Sequence, residues 1–379
     1  MFTIQPNNSF EKYLCDRAFE LETPISGTFE LLPICNMDCR MCYIRLSKAQ
    51  MERIGSPLKL SEWLRIGREA VSVGCVFLLL TGGEPLLYPH FRELYKALLE
   101  MGIILTINTN GTLIDSSLVK LFKNSSPRRI NISLYGSSDK MYADICRNSK
   151  GFTEVSKNIQ SLLDAGVPVK VNFTVTPHNR NDMENVIRLT EEWGVPISVA
   201  NYMFPPTRRL EGNNSFCRLS PHEAACIQLD ITNRLYRQEA DYKEKIKNML
   251  NERALSSSEL IDPPGGLLCS AGVSSFWVNW KGDLTPCGML QQPTLNLQNC
   301  SFEEGWNSIK DKCKQIFTSK KCFNCRFRKV CQGCGAASFA EHGDFSRPAA
   351  YHCELNEEYE RILKQHFLEL ENQENYENQ

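Results

Sequence analysis

Three cysteines in one short loop constrain this chain more than any other feature. Cys35, Cys39 and Cys42 are separated by three and then two residues, within the stretch Cys35-Asn36-Met37-Asp38-Cys39-Arg40-Met41-Cys42-Tyr43. They follow directly on a mostly apolar run, residues 29–34, that reads as a buried strand. Three thiolates so placed can hold three irons of a four-iron, four-sulfur cube, because cysteine thiolates are the usual ligands of such clusters. The fourth iron then has no protein ligand, and an open iron binds a small molecule through an amine and a carboxylate. A zinc loop with its fourth ligand elsewhere uses the same residue types, and on these three cysteines alone both readings stand.

Seventeen cysteines would also suit a disulfide-rich secreted protein, but residues 1–10 are polar and carry no signal-peptide core. Close-set C-x2-C pairs favour metal or cluster ligation, and with it a cytoplasmic protein kept anaerobic or well protected. No apolar run reaches about 18 residues, so no membrane helix is expected. A net charge of −1 gives no reason to expect a nucleic-acid or anionic-membrane partner. The 379 residues, 42% of them hydrophobic, allow two domains or one large domain with an appendage.

The order of patterns supplies the fold class. Residues 1–27 read as a short helix and a segment packing on the main domain. Strands follow at 29–34, 75–80, 103–107, 130–134, 167–175 and 196–200, each an apolar run. Between them lie helical stripes: Trp63, Gly67, Ala70, Val71 and Gly74 after a cap at Ser61; Phe91, Leu94, Tyr95, Leu98 and Leu99; 115–122; Val155, Ile159, Leu162 and Leu163; and 182–193. A sixth helix falls within 220–250. Parallel strands joined by helices predict a barrel or an open doubly wound sheet. The polar motifs all follow strand ends: the cysteine loop, Thr81-Gly82-Gly83-Glu84-Pro85, Asn108-Thr109-Asn110-Gly111, Ser133-Leu134-Tyr135-Gly136, Thr176-Pro177-His178-Asn179 and Asn201 to Pro206. That places them on one face, the working face of a β/α barrel. Pro205, Pro206, Gly212 and Asn213 break the pattern, and one long charged helix is expected to about Leu255. Residues 256–258 and Pro263-Pro264-Gly265-Gly266 mark a linker.

The C-x3-C-x2-C spacing, followed one βα unit later by Gly-Gly-Glu-Pro, resembles the radical S-adenosylmethionine (SAM) superfamily. The family usually has an aromatic residue before the third cysteine; here it is Met41, with Tyr43 just after. The resemblance covers residues 28–205 and implies an α/β fold, a six-stranded (β/α)6 partial barrel. It implies SAM chelated at the open iron and cleaved by one electron to methionine and a 5′-deoxyadenosyl radical that abstracts hydrogen. Carried over by position, Gly82, Gly83 and Glu84 cradle the SAM amino group, Ser133 contacts the ribose and Arg147 clamps the carboxylate. Asn110 and Tyr43 are further cofactor-side candidates. For Asn110 a plain turn is an equal reading, for Arg147 a surface arginine is the rival, and Gly-Gly-Glu-Pro alone is an ordinary turn.

A second cysteine set runs Cys269, Gly282-x4-Cys287, Cys322-x2-Cys325-x5-Cys331-x2-Cys334, Cys353. It resembles the SPASM extension of radical SAM enzymes over residues 267–353. One spacing departs, since the family usually has three residues where Gln332-Gly333 stand. By analogy Cys269, Cys287 and Cys334 hold one auxiliary four-iron cluster, and Cys322, Cys325, Cys331 and Cys353 a second, making three [4Fe-4S] clusters with the SAM site. The rival is a zinc ribbon of Cys322, Cys325, Cys331 and Cys334, which leaves three cysteines idle. Cys75 and Cys226 read as packing, and Cys300 and Cys313 as reserve ligands. Phe276, Trp277, Val278 and Trp280 read as a hairpin strand. The expected segments are 1–27, 28–205, a bridge at 206–266, 267–353, and a helix with a polar tail at 354–379.

Enzymes with this layout mostly modify ribosomally made peptides, by crosslinking, oxidation or epimerisation. The implied function is peptide maturation; the alternatives are a cofactor or tetrapyrrole side-chain modification and a non-catalytic zinc scaffold. Sulfatase-maturing relatives place an aspartate base right after the cysteine matching Cys287, and this chain has Gly288 there. An electron donor such as flavodoxin or ferredoxin is implied. Only 34 residues precede Cys35, too few for the leader-recognition domain of about 80 residues that many relatives carry. A stand-alone recognition protein or the barrel mouth is then expected to hold the peptide.

Overall fold

Apolar runs such as Phe77–Thr81 alternate along the chain with helices that carry one apolar stripe each, so successive strands pair in parallel. In a computed structural model residues 2–3, 9–205, 217–254, 265–331 and 333–377 are described. The expected breaks at Pro206, Gly212 and Asn213, the linker at 256–258 with Pro263 and Pro264, and Gln332 lie outside the described residues. The chain forms two units, one essentially Thr3–Cys217 with Ser270–Cys313, the other Arg218–Cys269 with Lys314–Gln379.

In the first unit the six expected strands are all present: β1 (Ser26–Glu30), β2 (Phe77–Thr81), β3 (Ile104–Thr109), β4 (Arg129–Ser133), β5 (Val169–Thr174) and β6 (Ile197–Ala200). They pair in parallel and in sequence, Phe29 opposite Leu80 and Ser133 opposite Asn172. Three short strands, β7 (Ser275–Val278), β8 (Asp283–Thr285) and β9 (Leu295–Asn296), continue the sheet beyond β1. The expected hairpin is β7–β8, antiparallel with Trp277 opposite Thr285. Its parallel pairing to β1, Gly27 opposite Phe276, was not legible in the sequence. A Cβ on Gly27 would stand 2.1 Å from the Phe276 ring, so this face needs glycine. In the core, the Phe29 and Trp63 rings lie 4.7 Å apart and both residues are fully buried.

Several bounds shift for local reasons. The first strand starts at Ser26, three residues before the apolar run. The helix expected to start at Ser61 is Leu60–Ser72, because Glu62 accepts from the Lys59 N–H at 2.8 Å and fixes the start there. Two helices between the thiol loop and β5 were not anticipated. Lys48–Ile54 has a capping box of Ser47 and Gln50, and Asp139–Cys146 has Ser138 accepting from the Met141 N–H.

The second unit corrects one expectation. Instead of one long helix there are two, Pro221–Tyr236 and Tyr242–Ala254. The break lets each pack on the long helix Ala350–Glu377: Thr232 bonds the Tyr359 hydroxyl at 2.9 Å, and Tyr242 bonds His366 at 2.6 Å. Both helices fall in the second unit. Among the described residues no helix is long and apolar enough to cross a membrane.

Candidate active site

The thiol loop hangs from β1, and its root is built by backbone rungs. Leu31 N–H donates to Thr81 at 2.8 Å, Gly83 N–H to Leu32 at 2.7 Å and Glu84 N–H to Ile34 at 3.0 Å. The Gly-Gly-Glu loop therefore zips onto the residues that lead into Cys35. A Cβ on Gly83 would lie 2.3 Å from the Ile34 carbonyl oxygen, and one on Gly82 2.5 Å from that of Leu32. These glycines are required by chain packing, a reason the sequence did not reveal.

Glu84, at 0% exposure, ties the neighbouring loop to this root. Its carboxylate accepts from Thr109 Oγ1 and Asn110 N–H, both at 2.8 Å, and from Leu86 N–H at 3.0 Å. Burial pushes its pKa up to about 7 against the pull of these donors. Asn110 Nδ2 reaches Asn36 Oδ1 at 2.9 Å, and Asn36 Nδ2 reaches Thr112 Oγ1 at 2.8 Å. The helix Asp139–Cys146 closes the other side: its last carbonyls, Ile145 and Cys146, accept from Arg40 N–H at 2.9 Å and Asp38 N–H at 3.3 Å.

Each of the three sulfurs meets a fixed partner. Cys35 Sγ accepts from Met37 N–H at 3.4 Å and Asn110 Nδ2 at 3.6 Å, and Cys42 Sγ from Arg45 N–H at 3.3 Å. The Cys39 thiol is hydrogen-bonded to the buried Cys146 thiol. Burial pushes the Cys35 thiol up to about 12, and the Cys146 bond followed by burial pushes Cys39 well up. A bare thiolate is costly here, and a metal that takes the proton's place offsets that cost. Among the described residues no three His, Cys, Asp or Glu side chains close on one metal-ion position. The donor set fits an iron–sulfur cluster: three thiols in one loop, with N–H groups aimed at two of the sulfurs.

The other expected cofactor residues lie around this loop. Arg147 follows the helix in the left-handed region, at φ 55°, and its guanidinium is 3.4 Å from Asp38, which also pairs with Arg45 at 3.1 Å. Ser133, at the end of β4, bonds the buried Tyr135 hydroxyl. Tyr43 is half-buried in the thiol loop. Sequence reading missed Asn36, Asp38, Thr109 and Cys146. The available signals were adjacency to Cys35 and to Arg147.

It also missed Glu30. This carboxylate ends β1, is 1% exposed and accepts from Trp277 Nε1 at 2.9 Å. Its sign was a charge inside a buried apolar run. Glu30 lines a cavity of about 500 Å³ whose walls include Pro33 and Leu46 beside the thiol loop and Trp280 and Cys287 beyond it. A Cβ on Gly288 would meet the Trp277 ring at 2.9 Å, so Trp277 fills the space of a side chain at that position.

In the second unit the cysteines fall into neighbourhoods. Cys322 is pushed up to about 11 by burial and by Cys353, Cys331 and Cys325 beside it. Cys334 has the N–H groups of Ala336 and Ala337, at the start of helix Gly335–His342, on its sulfur and Cys269 nearby. Cys287 belongs to the first unit. Cys313, expected in reserve, is instead core: it is buried on helix Phe302–Lys314 against Gly272. Cys300 bonds the Asn296 carbonyl at 3.7 Å. Cys75 is buried packing as expected.

Residues 29–190 match the family model described as the radical SAM superfamily. A curated relative, the AdoMet-dependent heme synthase of Nitratidesulfovibrio vulgaris, is 25% identical over 83% of this chain and 88% of its own length. The sporulation killing factor maturation protein SkfB of Bacillus subtilis is also 25% identical, over 71% of this chain and 62% of its own length. Among solved structures, Streptococcus suis SuiB superposes with a TM-score of 0.66 at 20% identity, covering 90% of this chain and 82% of that one. With the motif and the family match in agreement, residues 29–190 of this chain form a radical SAM domain.

Proposed function

We propose that this enzyme abstracts hydrogen from a side chain of a ribosomally made peptide during its maturation. The observation that supports it is the cavity of about 500 Å³ at the end of β1, which is large enough to admit a side chain with adjoining peptide beside the thiol loop. The likeness to a peptide-maturation protein supports the same reading.

Cys35, Cys39 and Cys42 would hold the SAM-binding cluster. The cluster and SAM, when bound, supply a 5′-deoxyadenosyl radical. The chain's own part is to bind and orient. The Gly82–Gly83–Glu84 backbone offers hydrogen-bonding groups to an amine, and Ser133 and Asn110 offer them to a ribose. Arg147 can turn from Asp38 to a carboxylate, a fork that matches two oxygens. Tyr43 would lie on the cofactor side. The auxiliary clusters rest on cysteine order, Cys322, Cys325, Cys331 and Cys353 for one and Cys269, Cys287 and Cys334 for the other. A flavodoxin or ferredoxin would supply the electron, the barrel mouth or a separate recognition protein would hold the peptide, and the compartment would be the cytoplasm.

The second reading is a tetrapyrrole side chain. It is favoured by heme-synthase relatives that cover more of both chains than the maturation protein does. Anaerobically reconstituted enzyme given SAM and dithionite should form 5′-deoxyadenosine. Mass spectrometry then decides the substrate: a mass change in the peptide encoded nearest the gene supports the first reading. A mass change in an iron porphyrin, with the peptide untouched, overturns it.

A further inference from the structure

Cys146 carries a thiol outside the C-x3-C-x2-C loop, yet it meets the loop's central cysteine. It ends the helix Asp139–Cys146 at 0% exposure, and its sulfur is hydrogen-bonded to that of Cys39, which is also buried. The contact is held by the fold. The carbonyls of Cys146 and Ile145 accept from Asp38 N–H and Arg40 N–H, the residues on either side of Cys39. The Arg40 side chain adds two bonds to the same helix, to the Asp144 carbonyl at 2.7 Å and its carboxylate at 2.6 Å. Tyr142, fully buried, stands beside both thiols. A Cβ on Gly151 would lie 2.3 Å from its ring, so that wall has no room to yield.

One hydrogen is needed for an S–H to S bond. In the iron-free protein either sulfur can supply it. Bound to iron, Cys39 is a thiolate and has none to give, so Cys146 becomes the donor and Cys39 Sγ the acceptor. A hydrogen bond to a ligand sulfur favours the more negative, reduced state of a cluster and so raises its potential. Burial strengthens the bond, because the local dielectric is low. Cys35 and Cys42 receive backbone N–H groups, which no side-chain change removes. At Cys39 the partner is a side chain, which the sequence can change.

We infer that Cys146 is a positioning residue for the SAM-binding cluster: its thiol donates to Cys39 Sγ, fixes that ligand and raises the cluster's reduction potential, without itself ligating iron. The inference rests on Cys35, Cys39 and Cys42 holding that cluster and is independent of which substrate is modified.

The test compares the full-length reconstituted enzyme with Cys146→Ala, which removes the donor, and Cys146→Ser, which keeps one. The SAM-binding cluster is followed through the part of the electron paramagnetic resonance signal that changes when SAM is added. Both variants should take up as much iron as the wild type. Poised at the wild-type midpoint, Cys146→Ala should show a reduced-to-oxidised ratio about threefold lower, and Cys146→Ser a ratio close to wild type. The SAM concentration for half-maximal cleavage should not move in either, because Cys146 meets a ligated sulfur and not the open iron. If Cys146→Ala takes up no iron at this site while Cys146→Ser matches the wild type, the donated hydrogen is what holds Cys39 and the inference stands. Equal potentials in all three proteins would leave Cys146 as packing and overturn it. Equal shifts in both variants, or loss of iron from both, would overturn it as well. Cys42→Ala is the control: if a SAM-responsive signal persists there, the cluster assignment fails rather than the role of Cys146.

Discussion

The two cysteine regions of this chain are built in opposite ways. The thiol loop of the first unit is anchored on every side by groups that belong to the fold. Glu84 binds three donors, Asn110 and Asn36 bridge neighbouring loops, and Ile145 and Cys146 accept from the loop's backbone. In the second unit Cys322 stands on a four-residue helix, Lys320–Phe323, and Cys325 and Cys331 lie in the turns that follow. Cys325 Sγ accepts from Phe327 N–H, two residues on, at 3.5 Å. The first region is a site that the fold makes; the second has two of its thiols in turns, and on the proposed cluster reading part of its order would come from what those thiols bind. Where ligands are not pre-held, metal binding becomes folding free energy.

The sharpest way to break that contrast is to remove one thiol from each region. Cys42→Ala should abolish 5′-deoxyadenosine formation while thermal unfolding stays close to wild type. Cys353→Ala should leave SAM cleavage measurable but lose product and expose residues 320–353 to proteolysis. Iron analysis after anaerobic reconstitution should give about twelve irons in the wild type and about eight when Cys35, Cys39 and Cys42 are all replaced by Ala. Saturation near four irons in the wild type removes the auxiliary assignment, and equal proteolysis of the two single variants removes the contrast.

A smaller effect probes how far the first region is preformed. Glu84 has a folded pKa of about 7, above the ordinary carboxylate value. The folded state therefore keeps a proton that the unfolded chain has already released. The stability it contributes is complete below about pH 4.5 and is lost as pH rises through 7, a swing on the order of 3 kcal/mol. Glu84→Gln should be less stable at pH 5, because its amide nitrogen cannot accept one of the three hydrogen bonds, yet nearly flat from pH 5 to 8. Melting curves over that range check it; parallel slopes for both proteins refute the buried carboxylate's role.

The contrast also explains what could be read from the chain. The six strands and the loop thiols were legible because both are local: an apolar run names a strand, and spacing names a ligand loop. The hidden features join residues far apart. Nothing near Gly83 announces the Ile34 carbonyl, and nothing near Ser275 announces pairing with Ser26. The helix break between Tyr236 and Tyr242 serves contacts with Thr232, Tyr359 and His366, and lacks the proline or glycine that marks a break. Glu30 was visible as a charge inside an apolar run, but its indole partner lies on β7.

The smallest predicted effect tests whether the second region has any anchor besides ligation. Arg326 follows Cys325, and Glu360 lies two turns beyond Cys353 on the long helix. Arg326 grips Glu360 with two bonds, at 2.7 and 2.6 Å, and Lys364 adds a third contact at 3.0 Å. These hold Glu360 down to about 2, the Arg326 hydrogen bonds first. For a depressed carboxylate the stability is present above about pH 4.5 and fades as pH falls toward 2. Because Arg326 is partly exposed, the pair is worth about 1 kcal/mol in the iron-free protein. It pins the Cys322–Cys331 segment to the helix that carries Cys353, which is what a cluster on those four thiols would also do. Glu360→Gln should therefore lower the stability of the iron-free protein by about 1 kcal/mol at pH 7, the difference closing below about pH 4.5. In the iron-loaded protein at pH 7 the same change should be nearly silent, because ligation already fixes the two segments together. Hydrogen exchange across residues 320–331 and 350–360 in both forms reads the difference. An equal loss with and without iron would show that the salt bridge, rather than the bound cluster, sets the order of this region.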